Sequence, residues 1–137
     1  MNASRQLRSQ IPALLAEDRG CLIGYAQVRW GEVPDCVTAE RPGEIQRLYV
    51  AEEWHGKGIA QVLMVACIAE VQKHGSDAVW LGVWEHSPRS ISFYMKFGFV
   101  EVGDHAFHLG AGPQRDVIMV RSPGYADRQA AYVSLTD

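Results

Sequence analysis

The sequence predicts a single mixed α/β domain with a mostly antiparallel sheet, and three observations carry that reading. Two strand-like runs, ALLAE and CLIGYAQVRW, flank the turn Asp18-Arg19-Gly20, the pattern of an antiparallel hairpin. The stretch EIQRLYVAEEWHGKGIAQVLMVACIAEVQKHG, from Glu44 to Gly75, then passes from an apolar strand through a glycine-bearing turn into a long apolar helix. The nearly unbroken apolar run from Ala78 to Trp84 follows, with the composition of a buried parallel strand. Strand, helix and parallel strand make a right-handed crossover, which puts the turn at the carboxyl end of its first strand.

Taken in order, Met1 to about Gln10 carries no pattern. Ala13–Glu17 and Cys21–Trp30 form the hairpin, and Pro34, Asp35, Pro42 and Gly43 mark a loop from Gly31 to Gly43 that returns the chain to the strand at Glu44. The helix pattern runs from Ile59 to about Val71, with Gly75 placed as its left-handed cap. Ser87-Pro88 is a helix start, serine as N-cap and proline in the first turn, and Gly98 ends the short helix carrying Phe93, Tyr94 and Phe97. Two last strands, Phe99–His108 and Asp116–Arg121, are separated by Gly110–Pro113, the signature of a longer hairpin.

At 137 residues the chain is one domain, expected over 1–121 with 122–137 as a tail, and large enough to bury about two thirds of its unfolded surface. With 13 Lys+Arg against 16 Asp+Glu and no block of like charge, no nucleic-acid partner is expected. Three cysteines, Cys21, Cys36 and Cys67, stand at unrelated spacings, which suits a reducing compartment. The polar start MNASRQLRSQ and the lack of a membrane-length apolar run favour a cytoplasmic protein. His105 and His108 lack further ligands at metal spacing, so they read as surface strand residues and no metal is expected.

The turn His55-Gly56-Lys57-Gly58-Ile59-Ala60 is where chemistry is most legible. A helix start preceded by glycines leaves main-chain N–H groups unpaired, with the positive end of the helix dipole behind them, and so can hold a phosphate. Spacing excludes two common phosphate loops. A Walker A loop needs Ser or Thr after Gly-Lys, where Gly58 stands, and a dinucleotide fingerprint needs a third small residue where Gln61 stands.

HGKGIA resembles the acyl-CoA-binding motif of the GCN5-related N-acetyltransferase (GNAT) superfamily, written Arg/Gln-x-x-Gly-x-Gly/Ala, with His55 departing from it at the first position. LYV before the loop and SISFYMKFGF after the next strand resemble further family landmarks, so the likeness covers Cys21 to about Arg121. It implies the GNAT acyl-CoA N-acyltransferase fold, with the sheet splayed at its central parallel strand pair. The activity it implies is direct transfer of an acetyl group from acetyl-CoA to a primary amine, on a small molecule or a peptide, with no covalent enzyme intermediate.

Carried over residue by residue, the resemblance implies that main-chain groups of Leu48, Tyr49 and Val50 on a bulged strand bond the pantetheine arm and polarise the thioester. His55, Gly56, Lys57, Gly58, Ile59 and Ala60 would surround the pyrophosphate. Ser87, Ser90 and Phe93 would add cofactor contacts, although Ser87 also reads as a plain helix cap. Tyr94 would act as general acid on the departing thiolate and Glu44 as general base, while many members use a water chain instead. Glu85 and His86 are alternative bases. Trp30, Trp54 and Trp84 with Glu32, Asp35 and Glu85 could line a pocket for a cationic amine, or be core and solvated loop.

Members of the superfamily begin with a strand and two helices ahead of the first hairpin, and those helices wall the acceptor site. None is expected before Ala13 here, which leaves open a reduced form, a truncated start, or a wall supplied by a partner chain or by the tail. A homodimer is the oligomer the family suggests. The alternative function is a CoA-binding regulatory or structural subunit without catalysis.

Overall fold

The computed structural model describes residues 2–6, 13–109 and 112–122, and the chain divides into two compact units. Within the first, Met1–Gly31 with Gly43–Ser76, lie strands β1 (Asn2–Gln6), β2 (Ala13–Asp18), β3 (Cys21–Arg29) and β4 (Pro42–Val50) and helix α1 (Ile59–Lys73). The four strands form one antiparallel ladder in chain order. β1 corrects the expectation that no strand precedes Ala13: a short polar segment, invisible to a hydrophobic pattern, pairs along β2 from Asn2↔Glu17 to Gln6↔Ala13.

α1 packs on β2 and β3. Ile59, Leu63, Met64, Cys67, Ile68 and Val71 are buried along it, and β2 and β3 answer with Leu14, Ala16, Ile23, Ala26 and Val28. Gly24 makes the close approach possible. A Cβ there would lie 2.8 Å from the Tyr49 carbonyl oxygen and 3.2 Å from Leu63 Cδ1. The helix ends as foreseen at Gly75, where φ is 80°. Gly75 N–H bonds the Gln72 carbonyl at 2.9 Å and Ser76 N–H the Val71 carbonyl at 3.2 Å, a Schellman cap. Trp30 donates its Nε1 proton to Ser76 Oγ at 2.7 Å and lies over the His74 ring. Its indole is therefore committed to the fold.

The second unit, Glu32–Pro42 with Asp77–Asp137, holds β5 (Ala78–Trp84), α2 (Pro88–Lys96), β6 (Phe99–Leu109) and β7 (Gly112–Arg121). β7 runs between β5 and β6, antiparallel to both. Trp80 and Ile118 are roofed by Val37, with Val33 and Cys36 of the same loop packed beside them. Val79, Leu81, Val83, Val117 and Met119, which alternate with that pair along the strands, are buried as well. Burial on both faces is why Ala78–Leu81 reads as an unbroken apolar run. The loop is held by Asp77, whose carboxylate accepts the amides of Glu40 and Arg41 at 2.9 Å each. Those bonds, Arg41's foremost, lower the Asp77 pKa.

The last hairpin differs from expectation. β7 begins at Gly112 rather than Asp116, and pairing extends to Leu109↔Gly112, because the register set by the apolar residues Val117–Val120 carries the ladder onward through polar ones. The expected tail beyond Ser122 lies outside the described residues. Among those described, no helix is long and apolar enough to cross a membrane.

Candidate active site

β4 leads into the turn through a bulge. Gln27 pairs with Arg47 and Val28 with Ile45, so Gln46 is the extra residue opposite that step. The bulge foreseen on the LYV strand thus sits just ahead of Leu48. Beyond it Leu48, Tyr49 and Val50 pair with Ala26, Tyr25 and Gly24. Tyr49 is 54% exposed, its ring 5.7 Å from that of Tyr25.

The chain then makes a 3-10 turn at Glu52–Trp54 and enters α1 through two left-handed glycines, Gly56 at φ 78° and Gly58 at φ 83°. An L side chain pays a steric penalty in this conformation, so the sequence needs glycine at both. Gly58 is the N-cap and offers no side-chain cap, and the first turn of α1 carries no acidic residue. A Cβ built at Gly56 or Gly58 would meet nothing within 4 Å. Open space, first-turn amides beyond the reach of intrahelical partners and a first turn of α1 without a carboxylate suit an anionic diphosphate. The residues fit such a group.

Two side chains brace the turn. His55 donates its Nε2 proton to the Val50 carbonyl oxygen at 2.8 Å, fastening the loop to the end of β4. The Lys57 ammonium lies 5.2 Å from the centre of the Trp54 ring, a cation–π contact that keeps its charge at the loop.

Glu44 stands directly opposite Arg29. Arg29 Nε reaches one carboxylate oxygen at 2.5 Å and Nη2 the other at 3.4 Å. That hydrogen bond is the main reason the Arg29 pKa is raised. Both Glu44 oxygens are thereby engaged.

α2 carries the remaining candidates. Ser87 occupies the N-cap position, yet its hydroxyl makes no cap bond; its carbonyl accepts the first helical hydrogen bond, from Ile91 N–H at 3.0 Å. Ser90, Phe93 and Tyr94 are half-buried. The Tyr94 ring sits edge-on to Phe93 at 5.5 Å and to Phe99 at 6.0 Å. Arg121, buried on β7, donates Nε to the Phe97 carbonyl at 2.9 Å, a cation at the carboxyl end of the helix. Glu85 bonds Arg115 Nη1 at 2.7 Å, and Arg115 Nη2 bonds Asp104 at the same distance. Asp104 and then Glu85 raise the Arg115 pKa. His86 is exposed, 3.5 Å from Glu85.

The structure therefore groups Leu48–Val50 and His55–Ala60 around the head of α1, and Ser87, Ser90, Phe93 and Tyr94 on α2. Sequence reasoning missed Arg29 and Arg121, whose partners lie across strands and become visible only through register. Among the described residues, no three His, Cys, Asp or Glu side chains come together as metal ligands.

The architecture is that of the GNAT acyl-CoA N-acyltransferase fold. Arabidopsis thaliana NAA60 in complex with a bisubstrate analogue superposes with a TM-score of 0.73 at 20% identity, over 84% of this chain and 76% of that one. A GNAT family acetyltransferase from Elizabethkingia anophelis with acetyl-CoA bound gives 0.66 at 17%, over 82% and 76%. Such identities show the fold. Residues 3–99 match the acetyltransferase (GNAT) family, and the chain belongs to it. An uncharacterised N-acetyltransferase of Mycobacterium tuberculosis is 36% identical over 108 residues, 79% of this chain. The match spans 65% of that relative's length.

Proposed function

We propose that this chain transfers an acetyl group from acetyl-CoA to a primary amine, with residues 1–121 acting as one catalytic domain. The observation that carries the reading is the head of α1: two left-handed glycines, no side-chain cap and no acidic residue in the first turn, in a chain of the GNAT family. The amides of Gly56–Ala60 hold the pyrophosphate, with Lys57 adding charge, while His55 serves the site by tying the loop to Val50. Main-chain groups of Leu48–Val50 align the pantetheine arm and polarise the thioester. The Ser87 hydroxyl, which is not spent on capping, joins Ser90 and Phe93 in holding that arm.

In the reaction the acceptor nitrogen, as free amine, forms the N–C bond while the C–S bond breaks. Tyr94 gives its proton to the departing thiolate, and the nitrogen loses one to solvent. Because Arg29 engages both Glu44 oxygens and Arg115 engages Glu85, deprotonation relayed by water is favoured over either carboxylate as direct base. The same pairing favours a second reading, a CoA-binding subunit without catalysis. Thiol release from acetyl-CoA against a panel of primary amines separates the two: amine-dependent release is expected, and binding of CoA without release under every amine would leave only the second. The reading suits a cytoplasmic enzyme, active alone or as a homodimer.

A further inference from the structure

We infer that Gly82, Trp84 and Asp116 form a cation-binding site that selects acceptors carrying a second amino group, a diamine or polyamine. The inference deepens the acetyl-transfer reading and takes its purpose, though not its geometry, from it. In the β5/β7 register Gly82 pairs with Ile118 and Trp84 with Asp116, so all four residues share one face of the ladder. At Trp80 and Ile118 that face is roofed by Val37. One step further the roof ends: Gly82 is exposed and Trp84 leaves 47% of its surface in solvent.

Gly82 forms the floor. A Cβ there would lie 3.4 Å from Asp116 Oδ2 and 3.6 Å from Ile118 Cδ1, so the carboxylate overhangs the place a side chain would fill. Asp116 Oδ1 accepts a hydrogen bond from Gln114 Nε2 at 3.1 Å, which fixes the carboxylate and turns Oδ2 toward the floor. Arg115, the adjacent cation, is committed to Glu85 and Asp104 and does not neutralise Asp116. Across the ladder His105 stands opposite Asp116, and His86 packs edge-on to Trp84 at 5.3 Å. An exposed indole beside an oriented carboxylate over a glycine floor recognises an ammonium group by cation–π and charge–charge attraction together.

The chemistry narrows the class. An amine held as ammonium on Asp116 has no lone pair with which to attack a thioester, so the anchored nitrogen cannot also be the reacting one. The acceptor needs two: one held charged, the other free to react. Trp30 and Trp54 cannot serve instead, being occupied by Ser76 and His74 and by Lys57.

The test compares 1,4-diaminobutane with n-butylamine as acceptors. The wild type should favour the diamine at least tenfold in kcat/KM, and Asp116→Asn or Trp84→Leu should erase that preference through KM while the KM for acetyl-CoA holds. Gly82→Ala should fold as well as the wild type, its methyl at ordinary contact distance, and lose the preference by filling the floor. A binding readout stands apart from turnover: 1,4-diaminobutane alone should shift the Trp84 indole N–H resonance saturably in the wild type and not in Asp116→Asn. If that shift is seen but no amine is acetylated, the cation site stands and the acetyl-transfer reading falls. If amines are acetylated yet neither preference nor shift depends on Asp116, the cation site is overturned and acetyl transfer survives.

Discussion

The two helices of this chain are built to opposite specifications. α1 buries seven residues along its length and is closed at its carboxyl end by a Schellman cap; what it presents to a ligand is main chain. α2 buries none of its residues fully and is held by an aromatic cluster and by Arg121 on the Phe97 carbonyl; what it presents is side chains. Binding an anion on amides demands a rigid, well-anchored helix, because each amide must stay where the phosphate oxygens will be. The proton delivery proposed for Tyr94 would demand only that one phenol be positioned. The difference teaches that the buried core is concentrated in α1, while α2 leaves its side chains at the surface.

That contrast can be broken most forcefully by truncation. Leu63→Ala, in the sealed face of α1, should cost about 2–5 kcal/mol in denaturant unfolding, whereas Met95→Ala on the exposed side of α2 should stay within about 0.5 kcal/mol; equal losses would erase the distinction. Tyr94→Phe should lower turnover about 100-fold or more while calorimetry finds acetyl-CoA affinity unchanged, and equal turnover would remove Tyr94 from the chemistry. Gly58→Ala and Gly75→Ala, at opposite ends of α1 and at φ 83° and 80°, should each cost about 1–2 kcal/mol of stability. Only the first should also weaken acetyl-CoA binding, since its methyl would enter the space proposed for the diphosphate.

The smallest effect concerns the second unit. Amide hydrogen bonds hold the Asp77 pKa below its ordinary value, so the unfolded chain takes up a proton first as pH falls. Stability from Asp77 is complete above about 3.9, the unfolded carboxyl value, and drains away as pH drops through the lowered folded one. Asp77→Asn should flatten that acid limb in unfolding curves taken between pH 5 and 2 on the scale of about one carboxylate; an identical slope in the variant would dissociate the loop from this anchor.

Much of this was legible in the sequence. α1 declared itself through apolar spacing from Ile59 and the glycines on either side, and β5 through its unbroken run, because helix period and two-faced burial leave marks on consecutive residues. β1 left none, being short and polar. Pairings across strands were equally silent: Arg29 meets Glu44 only because Gln46 bulges out of β4, and Trp84 stands opposite Asp116 only through the β5/β7 register. Residue type alone makes Ser87 a capping side chain; it does stand at the N-cap, but its hydroxyl makes no cap bond. Local chemistry thus marks where an element begins and leaves open what its side chains meet.

The central claim is that main-chain amides at the head of α1 hold the diphosphate of acetyl-CoA, and an amide-resolved NMR titration of the labelled protein with acetyl-CoA tests it most directly. Gly56, Lys57, Gly58, Ile59 and Ala60 should show the largest saturable shifts, all following one binding curve. Saturable binding that leaves those five amides unmoved, or no binding by the folded chain, would contradict the account.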